Sequence, residues 1–199
     1  MKLLGIIYKN DQTPDEDMLK KMPAEYQTFL KQANGLIAFK GGLHLRGCCN
    51  EPLWHSIAEA WEGKNAFWKY YPEVLDIDIP FGQDCMGDQF LFRNEKVIKL
   101  SCETGEVELL NLSFFEFISQ VTEDPLKILG LHPLIQVEAE GKSLQPGELI
   151  QAYPPFTMNP GGIDITLKIV KSEEQISFLQ QVFRQRQRSG DEGFSFVVG

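Results

Sequence analysis

The chain has 199 residues, 43% of them apolar, and its 28 acidic against 19 basic side chains give a formal net charge of −9. That size and apolar content fit one domain, or one domain with a small appendage, and argue against disorder. The charge works against nucleic acid and anionic lipid, which are bound through excess Lys and Arg, and favours a basic partner or plain solubility.

Residues Met1–Tyr8 begin apolar, but the stretch ends at Lys9-Asn10-Asp11 with no small-residue cleavage site, so a short strand is expected rather than a signal peptide. No apolar run approaches the roughly 20 residues of a membrane span, and a cytoplasmic protein is expected. Pro23 opens a helix in which Tyr26, Phe29, Leu30 and Ala33 share a face, and Asn34-Gly35 stops it. Leu36–Phe39 and Leu43–Leu45, joined through Lys40-Gly41-Gly42, read as a hairpin. Ser56 and Glu59 form a capping pattern for a second helix, with Ile57, Trp61, Lys64 and Trp68 on one face, running to about Tyr70-Tyr71-Pro72. Strands follow at Ile77–Phe81, Gln89–Phe92, Val97–Leu100 and Val107–Leu110. Ser113 and Glu116 then cap a helix that turns Phe114, Phe117, Ile118 and Val121 inward.

Beyond Val121 the texture changes. Asp124–Leu129 reads as a short helix, and residues 131–163, with five prolines and several glycines, read as loop-rich. Ile165, Leu167 and Ile169 alternate as a strand. Ser172 caps a helix with Ile176, Leu179, Val182 and Phe183 inward, and Phe194–Val198 makes a last strand. The expected fold is α+β: a central, mainly antiparallel sheet over residues 36–110 flanked by helices, with a C-terminal strand–helix–strand extension packed on it. The expected division is residues 1–122 as the main domain and 123–199 as connection and extension.

Signatures of catalysis are missing from this pattern. Gly41-Gly42 and Gly161-Gly162 lack the spacing of a phosphate loop, and no G-x-S-x-G elbow occurs. His44, Cys48, Cys49 and His55 follow no common zinc spacing, and no third group is evident to orient a Cys–His nucleophile. His132 stands apart. Adjacent Cys48 and Cys49 make a strained bridge, so Cys48, Cys49, Cys85 and Cys102 are read as free thiols. The expectation is a non-enzyme without cofactor or metal.

One charge pattern stands out. Between Tyr70 and Phe92 there is no Lys or Arg, but there are five acids: Glu73, Asp76, Asp78, Asp84 and Asp88. Trp61, Phe67, Trp68, Tyr70 and Tyr71 lie just upstream. Acids beside exposed aromatics make a docking surface for a cationic protein, since charge steers the encounter and aromatics anchor it. The competing reading makes the aromatics core and the acids a solvated rim. The candidate partner-binding set is therefore Trp68, Tyr71, Glu73, Asp76, Asp78 and Asp84. Gly87 and Asp88 are assigned to a tight turn and its brace, and Asn34 and Gly35 to the helix stop.

Three ordered segments carry a family resemblance: Met22-Pro23-Ala24-Glu25-Tyr26-Gln27-Thr28-Phe29-Leu30 through Asn34-Gly35, then Ile79-Pro80-Phe81 through Gly87-Asp88-Gln89-Phe90, then Ser113-Phe114-Phe115-Glu116-Phe117-Ile118. In this order they resemble the SUKH superfamily, which includes fungal glucan-synthesis regulators and bacterial immunity proteins, over roughly residues 15–122. The resemblance implies a helix-on-sheet domain and a non-catalytic inhibitor of a toxin, often a nuclease or deaminase. The alternative it implies is a regulatory or scaffold module for an endogenous partner. In either case a protein partner, a basic one for a toxin, and a monomer or weak dimer are expected. The residues after Val121 match nothing in that family's core domain.

Overall fold

The structure, a computed structural model, describes residues 3–158 and 164–189. Seven strands form one sheet in sequence order: β1 (Tyr8–Lys9), β2 (Leu36–Ala38), β3 (Leu43–Leu45), β4 (Ile79–Asp84), β5 (Gln89–Arg93), β6 (Lys96–Leu100) and β7 (Val107–Leu112), each antiparallel to the next. The expected α+β architecture with a central antiparallel sheet is what the chain adopts. Side chains alternate across its two faces as strand geometry requires. Phe90, Phe92 and Val97 enter the larger core on one face, and Leu91, Ile98 and Leu100 enter a smaller core on the other.

The larger core is covered by α1 (Glu16–Lys20), α2 (Ala24–Leu30) and α4 (Phe114–Glu123). Tyr26 on α2 is its hub. The ring meets Phe29, Phe81, Phe92 and Phe114 at centroid distances of 4.9–5.5 Å, and the hydroxyl donates to Arg46 O at 2.6 Å. On α4, Phe114, Phe117, Ile118 and Val121 are all buried, and Ser113 and Glu116 complete a reciprocal capping box, as their spacing predicts. In β4, Pro80 pairs with Leu91 and Gly82 with Phe90, so Phe81 is the extra residue of a bulge. The bulge lets an internal strand carry a proline that has no N–H to donate. It also places Phe81 flat against Phe92, with centroids 4.0 Å apart.

The second helix departs from expectation. α3 covers only Ile57–Glu62 and ends at Gly63; a separate 3₁₀ turn at Phe67–Lys69 carries the chain on. Trp68 therefore lies outside α3. Residues 131–158, the described part of the stretch 131–163, are also more regular than expected. After α5 (Pro125–Leu129) they hold α6 (His132–Ala139) and β8 (Glu148–Tyr153), which pairs antiparallel with β9 (Thr166–Lys171) in a second sheet. Pro133 sits in the first turn of α6, where its missing N–H has no intrahelical partner to lose.

α7 (Ser172–Ser189) follows β9 directly. Leu129, Leu134, Val137, Ile150 and Leu167 join the same core as Tyr26, so apolar side chains on both sides of residue 122 share one interior. Ile150 N donates to Cys85 O at 2.8 Å and Gln175 Nε2 to Met86 O at 2.8 Å, stitching β8 and α7 to the loop after β4. Leu179 and Phe183 of α7 fill the smaller core, Phe183 lying 4.9 Å from the Tyr71 ring. The strand expected at Phe194–Val198 lies outside the described residues.

Candidate functional site

The acidic stretch is not one surface. Asp78 is 1% exposed and forms a two-pronged ion pair with Arg93, Nε to Oδ1 at 2.9 Å and Nη2 to Oδ2 at 2.5 Å, while Oδ2 also accepts from Leu75 N. Asp84 is 3% exposed. Its Oδ1 accepts from the backbone N–H groups of Met86, Gly87 and Asp88 at 2.9–3.1 Å, and its Oδ2 faces Lys99 at 3.5 Å. Tyr71 is fully buried, its hydroxyl donating to Cys102 O at 3.2 Å. These three expected contact residues are internal: each charge or hydroxyl is spent on bracing the fold, and none can meet a partner. The reason is physical, since a carboxylate can be buried only if it is paired and hydrogen-bonded, and here Arg93 and Lys99 supply the partners.

Glu73, Asp76 and Trp68 remain at the surface, with Leu75 and Ile77 exposed beside them at 45% and 57%. The segment is firmly held. Trp61 Nε1 donates to Asp76 O at 2.7 Å, Trp68 Nε1 to Trp61 O at 3.0 Å, and Arg93 Nη2 to Glu73 O at 2.8 Å. Trp68, Leu75 and Ile77 thus sit on a braced loop rimmed by two carboxylates.

The residues assigned to turns hold turns. Gly87 has φ +98, and Asp88 accepts from Cys102 N at 2.9 Å and faces Lys99 at 3.4 Å. Gly35 has φ +83, and a Cβ there would lie 2.5 Å from the His55 ring. The Asn34 side chain clamps Cys48, accepting from its N–H at 2.8 Å and donating to its carbonyl at 3.2 Å.

His44, His55 and the four cysteines are enclosed, whereas His132 is exposed. His55 Nε2 lies 2.9 Å from Asn34 O, and a carbonyl only accepts, so Nε2 carries the proton. Nδ1 of the neutral ring must then accept, and it does so from His44 Nε2 at 2.8 Å. Burial and the facing ring hold His44 well below its ordinary pKa, and burial lowers His55 to about 4. All four cysteines are free and buried; burial raises Cys48 to about 12 and Cys49 to about 11, and Cys85 and Cys102 also move up. These thiols are not nucleophiles near neutral pH. Burial and the nearby Asp88 carboxylate raise Asp84 to about 7 against the pull of Lys99. Among the described residues no three His, Cys, Asp or Glu side chains come together as a metal would need.

A feature that the sequence reading missed is a cleft of about 580 Å³ between α7, α3 and the 3₁₀ turns around Leu53–His55 and Phe67–Lys69. Arg46, 4% exposed, contributes to its lining. The guanidinium bonds Pro80 O, Gly82 O, Gln83 Oε1 and Gln89 Oε1 at 2.6–3.3 Å, all neutral acceptors.

No family model matches the chain, and no curated protein matches it either. The solved structure of Atu4351 from Agrobacterium tumefaciens is similar at 13% identity, with 88% of this chain and 85% of that one covered and a TM-score of 0.51. At that identity the likeness shows a shared fold. None of the described helices is long and apolar enough to cross a membrane.

Proposed function

We propose that the chain is a non-catalytic binding protein of the immunity type, which neutralises a basic toxin by docking it on the loop around Trp68, Leu75 and Ile77. The observation that carries this reading is the exposure of these three large apolar side chains on a hydrogen-bonded loop. A braced aromatic and aliphatic cluster loses little entropy on binding and makes an anchor, and Glu73 and Asp76 at its rim steer a cationic partner. The enclosed His44–His55 pair and the buried thiols favour binding over catalysis. The motif order shared with the SUKH superfamily points the same way, toward a nuclease or deaminase as the toxin.

The test is co-expression with the product of the neighbouring gene. The native chain should rescue growth, and Trp68→Ala with Ile77→Asp should abolish rescue while leaving the thermal midpoint within a few degrees. Full rescue by that double variant would remove the loop from the interface. No rescue by the native chain would favour a regulatory role toward an endogenous partner.

A further inference from the structure

The cleft beside α7 contains two polar groups that the fold leaves incompletely matched. The first is Arg46. Its four hydrogen bonds use every N–H of the two terminal nitrogens, yet all go to neutral oxygens, and no carboxylate pairs with it among the described residues. Arg93 shows the usual solution in the same sheet, a direct pair with Asp78. A guanidinium taken out of water without a counter-charge is costly, and burial lowers its pKa to about 10. The second is Gln180 on α7, 7% exposed, whose Nε2 has no hydrogen-bond partner. A buried donor left unmade is unfavourable in its own right. Both residues line the same cleft, where Arg46 lacks a counter-charge and the covered Gln180 Nε2 lacks an acceptor, and one carboxylate supplies both.

The rest of the lining says what carries that acceptor. Trp54, Phe67, Tyr70 and Ile176 give aromatic and aliphatic walls, and Arg184, stacked 4.7 Å over Tyr70, adds a second cation. Glu59 and Glu173 also line the cleft, so a multiply charged anion such as a nucleotide is repelled by them. The volume of about 580 Å³ falls in the range of small-ligand sites.

We propose that this cleft is a binding site for a single carboxylate borne on an aromatic body, with Gln180 donating to the carboxylate and Arg46 acting through its charge. None of Trp68, Leu75, Glu73, Asp76 or Ile77 lines it; Phe67 of the turn that carries Trp68 does, but binding in the cleft needs no docking role for that turn.

The experiment is a titration of the full-length protein with aryl-alkanoates of two to four carbons and with their neutral amides, followed by calorimetry and by backbone amide NMR. The acids should bind at least about tenfold more tightly than the matched amides, as expected for a hydrogen bond to a charged group, and should shift the amides of Phe67 and of the Ile176–Arg184 stretch of α7. Arg46 ties β3 to β4 and its replacement endangers the fold, so the diagnostic variant is Gln180→Leu on the outer sheet-covering helix, checked by its thermal midpoint. Gln180→Leu should weaken the acid by about tenfold and bring acid and amide close together. Equal binding of acid and amide, no binding of any acid, or an acid affinity untouched in folded Gln180→Leu would each overturn the proposal.

Discussion

Lowering the pH should destabilise this protein through its buried histidine pair. His55 Nε2–H is committed to Asn34 O and Nδ1 to His44 Nε2–H, so protonating Nδ1 would set two N–H groups against each other in a site closed by the rings of Tyr8 and Trp54. The sign follows from linkage. His55 titrates near 4 when folded and near 6.5 when unfolded, so between those values the unfolded chain binds more protons and stability falls as pH falls. At pH 5 the unfolded state gains about 2 kcal/mol relative to pH 7.5 from this residue, and the loss levels off near pH 4. His44 moves in the same direction. Asp84, raised to about 7, works oppositely, so the pair is isolated by comparison with His55→Gln, whose amide can still donate to Asn34 O. Urea unfolding at pH 7.5 and 5.0 should show the native chain losing about 2 kcal/mol more than the variant. An equal loss in both proteins would refute the argument.

Three further outcomes follow from the bracing. Asp78→Ala should cost about 3 kcal/mol, because Arg93 would lose its partner at the edge of the core; the thermal midpoint of the variant checks this. Gly87→Ala forces a left-handed residue and sets a Cβ 3.0 Å from Leu179 Cδ1, so a loss of at least about 1–2 kcal/mol is expected in chemical denaturation. Truncation after Thr122 removes Leu129, Leu134, Val137, Ile150 and Leu167 from the shared core, and the product should aggregate on size-exclusion chromatography; a stable monomer would show the tail to be separable.

Much of the fold was legible because local patterns and tertiary packing agree. The i, i+3, i+4 spacing of Phe114, Phe117 and Ile118 gave the buried face of α4, and Gly35 and Gly87 marked left-handed backbone. The prolines of 131–163 misled, since Pro133 starts α6 rather than breaking it. The site was less legible, because burial of an acid depends on partners distant in sequence. Arg93 lies fifteen residues from Asp78 and Lys99 fifteen from Asp84, and only the sheet register brings them together. Arg46 left a trace, a lone cation directly after the strand Leu43-His44-Leu45. Gln180 left none, as a glutamine on a helix with several others reads as solvent-facing.

The central claim, a rigid docking loop for a basic partner, is tested most directly by association kinetics between the purified chain and the product of its neighbouring gene at two salt concentrations. Glu73→Lys with Asp76→Lys should slow association and weaken its salt dependence, and Trp68→Ala should speed dissociation, with folding intact in both. Unchanged rates in both variants would contradict the account.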